Sequence, residues 1–281
     1  MKMILKLSFL YLFLFLMVIL IYPFFMNAGN LEPQIDKILL SPNLTSFFGT
    51  DSLGRDLFSR LILGARLSFF MGLVCSLISL IIGFIIGSIS GLQGGWFDHL
   101  IMRTVEILMS LPQMVTIGFA LLFFGKIQIF GSEWANLIGL VFSISLASWM
   151  SFARMVRSQI IREKELPYVE AARALGASPQ RIVFHHILPN ILPSLVVLLG
   201  LQLPNFLLFE GLLSFVGLGV QPPIASWGSL LHEGWKTLSA YPHLLLFPSG
   251  LLFLTIFSVN IVFDHYRLRL FRKLGTIEQH H

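Results

Sequence analysis

The chain has 281 residues, of which 56% are apolar and only 12% are charged. Water-soluble domains carry about a quarter charged residues, so the composition excludes an ordinary soluble domain and predicts a protein surrounded by membrane lipid. The net charge of +5 does not indicate nucleic-acid binding, because the basic residues lie between apolar segments and form no continuous basic face. The only cysteine, Cys75, forms no intrachain disulfide and leaves the redox compartment undetermined.

Six apolar segments predict an all-α, polytopic membrane protein with six transmembrane helices. About 20 apolar residues are enough to cross a hydrocarbon core of about 30 Å. The predicted spans are residues 7–26, 67–92, 100–124, 134–152, 191–218 and 242–263, with Pro112 kinking the third and Pro193 and Pro204 interrupting the fifth. The alternative for the first segment is a cleaved signal peptide, whose apolar region is usually shorter, about 7–15 residues.

Residues 1–66 form the first predicted unit, which combines the first span with a loop outside the membrane. From Asp51 onward, apolar residues at helical spacing predict an amphipathic helix that lies in the membrane interface. We expect this helix to orient the next span, and a substrate contact by Asp51, Arg55 or Asp56 is the alternative. The predicted apolar stripe consists of Leu53, Leu57, Phe58, Leu61 and Ile62.

Residues 67–265 form the second predicted unit, a core of five spans. Gly83, Gly87 and Gly91 recur at four-residue spacing in its first span and therefore share one helix face. Such a face predicts close packing against another helix, and the alternative is a small-residue surface that faces lipid. Gly94 and Gly95 are expected to turn the chain before the next span.

The longest polar interruption in the second half lies within a predicted loop at residues 153–190. Pro167 suits the first position of a short helix, and Gly176 suits its left-handed end. Ser178 is the expected N-cap of a second helix that reaches Pro189. The first helix presents small side chains that allow a partner to approach closely, and its predicted apolar face is Tyr168, Ala171, Ala172 and Leu175, with Glu170 and Arg173 opposite.

The distribution of basic residues predicts the orientation of the chain. Six spans place both termini on one side, and most of the 19 lysines and arginines lie on that side, including the central loop. The positive-inside rule therefore predicts that both termini, the loop at 153–190 and the basic tail at 266–281 are cytoplasmic.

Patterns typical of enzymes and metal sites are missing from the sequence. It contains no GxxxxGK[ST], HExxH, CxxC or GxSxG pattern, so we expect no catalytic site and no cofactor bound by this chain. His185 and His186 are neighbours that point about 100° apart on a helix, so they are not expected to share a metal ion.

Polar residues at membrane depth are costly and usually face a cavity. Gln202, Asn205 and Glu210 in the fifth span are therefore candidates for the lining of a translocation path. The alternative for Glu210 is an ion pair with Arg60 or Arg66. Asp264 is expected to cap the inner end of the sixth span, and the sequence does not decide whether the C-terminal histidines are native.

Several motifs resemble those of ABC importer permeases. Glu170-Ala171-Ala172 followed by Gly176 resembles the EAA loop of that superfamily. The stretches FGTDSLGRDLFSRLILGARLSFF at 48–70, GGWFDHLIMR at 94–103 and LSFVGLGVQPPIASWG at 213–228 are similar to the second permease subunit of dipeptide, oligopeptide and nickel importers. The resemblance covers most of residues 48–235. It departs at residues 260–267, where the family usually has a glycine before the aspartate.

The resemblance implies the type I importer (MetI-like) fold in a bacterial inner membrane. It also implies four kinds of partner: membrane lipid, a homologous second permease subunit, two cytoplasmic ATPases that use ATP and magnesium, and an extracytoplasmic substrate-binding protein. The residues that would couple the chain to the ATPases are Glu170, Ala171, Ala172, Arg173, Leu175, Gly176 and Arg181.

Peptides are the implied substrate, and nickel or a metal chelate is the alternative. Two other classes remain as alternatives. A secondary transporter would use buried ion sites in broken helices, of which this sequence has few signs. A membrane scaffold would need neither a path nor a driven loop.

Overall fold

The computed structural model describes residues 2–26, 29, 31–124 and 132–278, and it describes the side chains of 3–26, 29, 31–124 and 136–270. The described residues contain no β-strand. Their α-helices are α1 (Lys2–Phe25), α2 (Leu57–Gln93), α3 (Gly95–Met109), α4 (Gln113–Phe124), α5 (Ser132–Glu163), α6 (Pro167–Ala174), α7 (Pro179–Arg181), α8 (Leu188–Phe215), α9 (Trp227–Lys236) and α10 (His243–Glu278), and Ile35–Lys37 form a short 3-10 helix. A π-helical turn, Ile182–Ile187, joins α7 to α8, so the chain is helical from Pro179 to Phe215.

Five of these helices are long and apolar enough to cross a membrane, and the count is six if α3 and α4 are one broken span. The predicted all-α, polytopic architecture is therefore confirmed. The chain divides into two compact units: Met1–Leu73, Lys126–Leu140 and Leu203–Val262 form unit one, and Val74–Gly125, Val141–Gln202 and Phe263–His281 form unit two.

The start of α2 differs from the predicted interfacial helix. The Asp51 carboxylate accepts hydrogen bonds from the backbone N–H groups of Leu53 and Arg55, and Gly54 has φ +77°, so residues 51–56 form a turn. Asp56 then caps α2 by accepting a 2.8 Å bond from the Ser59 N–H. One helix of 37 residues follows, and the described residues 51–56 form no separate amphipathic helix before it.

The third predicted span is broken and not merely kinked at Pro112. Helices α3 and α4 meet at 97° across residues 110–112. Proline lacks an N–H and disfavours helical geometry in the residue before it, which explains why α3 stops at this position.

Two helices extend further than predicted, and a third is continuous where the sequence predicted interruptions. Helix α5 continues past the expected end at residue 152 because Val156 and Ile160, at helical spacing, are both fully buried. Helix α8 passes through Pro193 and Pro204 without interruption. Helix α10 passes Asp264, so this residue does not cap a helix end; its carboxylate pairs with Arg267 at 3.0 Å.

Unit one has its own apolar core, in which Trp227 is completely buried. The other tryptophan of α9, Trp235, is exposed. The indole N–H of Trp227 donates to the Leu61 carbonyl at 3.3 Å. Since an indole has a large apolar surface and one donor, this single bond lets it serve as a core residue.

Candidate functional site

Helix α6 has well-defined ends. Pro167 occupies its first turn, where a missing N–H costs nothing. Gly176 has φ +82°, its N–H donates to the Arg173 carbonyl at 2.9 Å, and the Ala177 N–H donates to the Ala172 carbonyl at 3.0 Å. These two bonds form a Schellman motif, which requires a left-handed residue at the position of Gly176. The helix is thus a short, closed unit of eight residues.

The chain turns immediately after this motif. The Ser178 hydroxyl accepts a 3.3 Å bond from the Arg181 N–H, and Pro179 takes the first helical position. This is the predicted cap. We predicted that the helix that follows would end near Pro189, but it continues through the π-helical turn into α8.

The apolar face of α6 is divided between the interior and the surface. Val169 is completely buried and Ala172 is 8% exposed, and Val169 belongs to a core cluster with Val156 and Ile160 of α5. Leu175 is 89% exposed. The prediction of one apolar face that includes Leu175 is therefore wrong. Val169, which was not part of the predicted face, is the residue that points inward.

A hydrogen bond ties α6 to the end of α5. The Tyr168 hydroxyl donates to the Glu163 carboxylate at 2.6 Å. Burial and this bond together raise the pKa of Tyr168 to about 12. The hydroxyl therefore stays protonated across the physiological range and holds the helix in place.

All the predicted coupling residues except the buried Ala172 form a small exposed surface. No other described residue pairs with the guanidinium group of Arg173 or Arg181. An exposed leucine between unpaired charges is suited to contact with a partner. The coupling surface consists of Glu170, Ala171, Arg173, Leu175, Gly176 and Arg181.

The three glycines of α2 approach α5 closely. A Cβ atom at Gly83 would lie 2.5 Å from Phe152 Cβ, and one at Gly87 would lie 2.5 Å from the Ala153 carbonyl oxygen. A Cβ atom at Gly91 would lie 3.0 Å from Ile160 Cβ. The described structure thus puts a helix, rather than open space, against each of these glycines.

Glu210 is 2% exposed and has no arginine partner among the described residues. The hydroxyl groups of Ser68 and Ser214 donate to its two carboxylate oxygens, each at 2.8 Å. The Ser68 hydroxyl in turn accepts a 3.1 Å hydrogen bond from the backbone N–H of Trp227. The alternative of an ion pair with Arg60 or Arg66 is therefore wrong. Glu210 joins α2, α8 and α9 within unit one.

The other two candidates for the path lie on α8 in different surroundings. Asn205 is exposed and Gln202 is half-buried. They are three residues apart in sequence and thus about one helical turn apart. The buried environment of Glu210 differs from both.

An ion-pair network in unit one was not predicted. Arg60 is 3% exposed; its guanidinium donates to Asp51 at 2.5 Å and to both carboxylate oxygens of Glu233, at 2.5 and 2.9 Å. Arg55 also pairs with Asp51, at 2.8 Å. Paired in this way, Asp51 and Arg55 fix the loop that precedes α2. Sequence spacing gave no signal for Glu233, which lies 173 positions from Arg60.

Comparisons with known proteins identify the family. Residues 81–274 match the model of the family described as "Binding-protein-dependent transport system inner membrane component". The chain belongs to this family. It is a multi-pass permease subunit of an ABC importer and not an enzyme.

Individual relatives agree with this assignment. The chain is 38% identical to the oligopeptide transport system permease protein OppC of Bacillus subtilis (strain 168), over 83% of this chain and 73% of the relative. It is 34% identical to the dipeptide transport system permease protein DppC of the same organism, over 86% and 73%. It is 36% identical to the glutathione transport system permease protein GsiD of Pectobacterium atrosepticum, over 86% and 77%.

The fold has a solved counterpart. A chain from the inward-facing MetNI methionine ABC transporter matches with a TM-score of 0.59 and 22% identity, over 75% of this chain and 97% of that chain. The predicted type I importer fold is therefore confirmed.

Proposed function

We propose that the chain is one of two homologous permease subunits in an ATP-driven importer of peptides. The importer also contains two cytoplasmic ATPases, one of which binds the coupling surface of this chain, and an extracytoplasmic binding protein delivers the peptide. The peptide assignment is supported by relatives that transport oligopeptides, dipeptides and glutathione. The alternative within the same architecture is nickel or a metal chelate.

The coupling surface carries this proposal. Helix α6 fixes itself to the protein through Val169 and Tyr168 and leaves Leu175 exposed with Arg173 and Arg181 unpaired. Acidic groups on an ATPase would complement the two arginines, and a groove would bury the leucine. An element held on one side and open on the other is suited to transmit the movement of a partner.

The orientation is testable because the only cysteine, Cys75, is 1% exposed. We propose that the termini and α6 face the cytoplasm. Leu175→Cys is expected to react with an impermeant thiol reagent only in inside-out vesicles. Leu53→Cys, at an exposed site in the loop before α2, is the matched control and is expected to react only from the other face. Labelling of Leu175→Cys in right-side-out vesicles refutes the orientation.

Gly176→Leu tests the coupling role. A Cβ atom at Gly176 would meet nothing within 4 Å, but the left-handed φ costs about 1–2 kcal/mol for any residue with a Cβ. We expect the variant to insert and to be recovered at the parental level, while peptide uptake per ATP hydrolysed falls. Uptake at the parental ratio contradicts the role. Purification of the parent tests the partners: no stoichiometric P-loop ATPase or no second permease subunit contradicts the proposed assembly.

The substrate is decided by uptake into proteoliposomes that contain the complete importer. Transport of a labelled dipeptide or oligopeptide supports the proposal. Transport of nickel or its chelate without peptide transport replaces it. Gln202, Asn205 and Glu210 are the predicted path residues; Glu210 is 2% exposed, so the test uses Gln202 and Asn205. Cysteines at these positions are expected to be protected from a small thiol reagent by bound peptide.

A further inference from the structure

Two side chains near the end of α5 hold the turn between α2 and α3. The Arg157 guanidinium donates from Nε to Asp98 Oδ1 and from a terminal nitrogen to Asp98 Oδ2, both at 2.5 Å. Lys164 Nζ donates to the Gly91 carbonyl at 3.0 Å. The two cations therefore bind the α3 side and the α2 side of one turn.

The first contact is a strong one. Asp98 is 6% exposed at its side chain, and the Ser90 hydroxyl also donates to it. A bidentate arginine–carboxylate pair fixes both distance and orientation, and Asp98 in the first turn of α3 suits the positive end of that helix. Loss of Arg157 would leave the buried Asp98 charge without its cation.

The second contact completes a continuous face. Arg157 and Ile160 lie on α5, and Lys164 directly follows its last residue, with its N–H still donating to the Ile160 carbonyl at 2.9 Å. The three residues, at positions i, i+3 and i+7, therefore share one side. Between the two cations, a Cβ at Gly91 would come within 3.0 Å of Ile160 Cβ. Lys164 binds the last turn of α2, where carbonyl groups lack helical partners. The turn thus has no room to slide along α5.

The same two turns of α5 also support α6. Val156 and Ile160 pack with Val169, and Glu163 accepts the bond from Tyr168. Ile160 takes part in both contacts and is completely buried. Helix α6 is therefore connected to the α2–α3 turn through one short, rigid segment.

We propose that Arg157 and Lys164 are positioning residues that pass the displacement of α6 to the α2–α3 turn. This inference rests on the proposed function, in which a partner moves α6. Neither residue belongs to the coupling surface. Their role is to make α2, α3 and the end of α5 move with α6 as one body.

The experiment uses the complete importer in proteoliposomes and measures uptake and ATP hydrolysis in the same sample. Arg157→Gln and Asp98→Asn are each expected to lower uptake per ATP hydrolysed by about fivefold or more, with hydrolysis retained. Since the two residues form one contact, the double variant is expected to be no worse than the worse single variant. Arg157→Lys keeps the charge but cannot donate two parallel hydrogen bonds to the carboxylate. Its uptake per ATP hydrolysed is expected to lie between that of Arg157→Gln and that of the parent.

Arg154→Gln is the matched control, because Arg154 is exposed one turn earlier on α5. It is expected to keep the parental ratio. If Arg157→Gln is not recovered as an assembled complex, the same measurement on Lys164→Met tests the positioning role. Lys164→Met removes one hydrogen bond and no buried ion pair. An assembled variant that keeps the ratio within about 1.5-fold of the parent overturns the inference. A parallel fall of uptake and hydrolysis also overturns it, since this indicates support of assembly alone.

Different results refute the proposed function and the positioning role. A parental complex without ATP-linked uptake refutes the proposed function. A parental complex with ATP-linked uptake that Arg157→Gln and Lys164→Met leave unchanged refutes only the positioning role.

Discussion

The contact between α2 and α5 gives the sharpest prediction of stability. A Cβ at Gly87 would lie 2.5 Å from the Ala153 carbonyl oxygen and 2.9 Å from Val156 Cβ. The nearest atom belongs to the backbone of α5, so no change of rotamer relieves the clash in Gly87→Ala. The two helices must separate, and every other contact along their interface is weakened.

The magnitude follows from two opposing effects. Overpacking a tight interface costs about 1–3 kcal/mol, and a backbone clash lies at the upper end of that range. Alanine is favoured over glycine inside a helix by about 1 kcal/mol. Gly87→Ala is therefore expected to lose about 2 kcal/mol of unfolding free energy.

Gly118→Ala is the matched control. Gly118 lies inside α4, also in unit two, and an added Cβ would meet nothing within 4 Å. This variant keeps the propensity gain of about 1 kcal/mol, so the two variants differ by about 3 kcal/mol. For domains of 150–250 residues that difference corresponds to a separation of roughly 6–12 °C between melting temperatures in the same detergent. If Gly87→Ala melts at or above Gly118→Ala, the close packing deduced here is wrong.

Two further substitutions test buried or half-buried hydroxyl groups. Ser68→Ala removes a donor to the buried Glu210 carboxylate and is expected to lower the unfolding free energy by about 1–3 kcal/mol. Thermal denaturation measures this loss, and a melting temperature equal to that of the parent contradicts the hydrogen-bond network around Glu210. Tyr168→Phe removes the bond to Glu163 and is expected to cost about 1 kcal/mol. Because the folded pKa of Tyr168 is raised to about 12, this contribution is complete below the unfolded value of about 10 and is lost as the pH rises through 12. A difference between parent and Tyr168→Phe that persists above pH 12 contradicts the assigned bond.

Local chemistry in α6 and its flanks was readable from the sequence. Pro167 at the start, Gly176 at the end and Ser178 as the next cap each act through their own backbone or side-chain geometry within a few residues. Such features depend on neighbours in the chain, so no tertiary information is needed.

Boundaries and burial were predicted less well. The turn at residues 51–56 replaces a predicted helix because the Asp51 side chain binds backbone N–H groups there, in competition with helix formation. The inward position of Val169, and not of Leu175, depends on where α5 lies beside α6. Periodicity shows that a helix has an apolar side but not which of its members another helix covers.

The sequence by itself determined the class of the molecule, since composition and apolar segment length specify a multi-pass helical protein and the motifs specify the permease family. Only the tertiary structure decided the partners of the charged groups. Arg60 binds Glu233, and Arg157 binds Asp98 across 59 positions of sequence. These pairs form because a buried charge is costly unless an opposite charge lies beside it. Separation along the chain does not indicate which helices pack together, so the sequence did not predict the pairs.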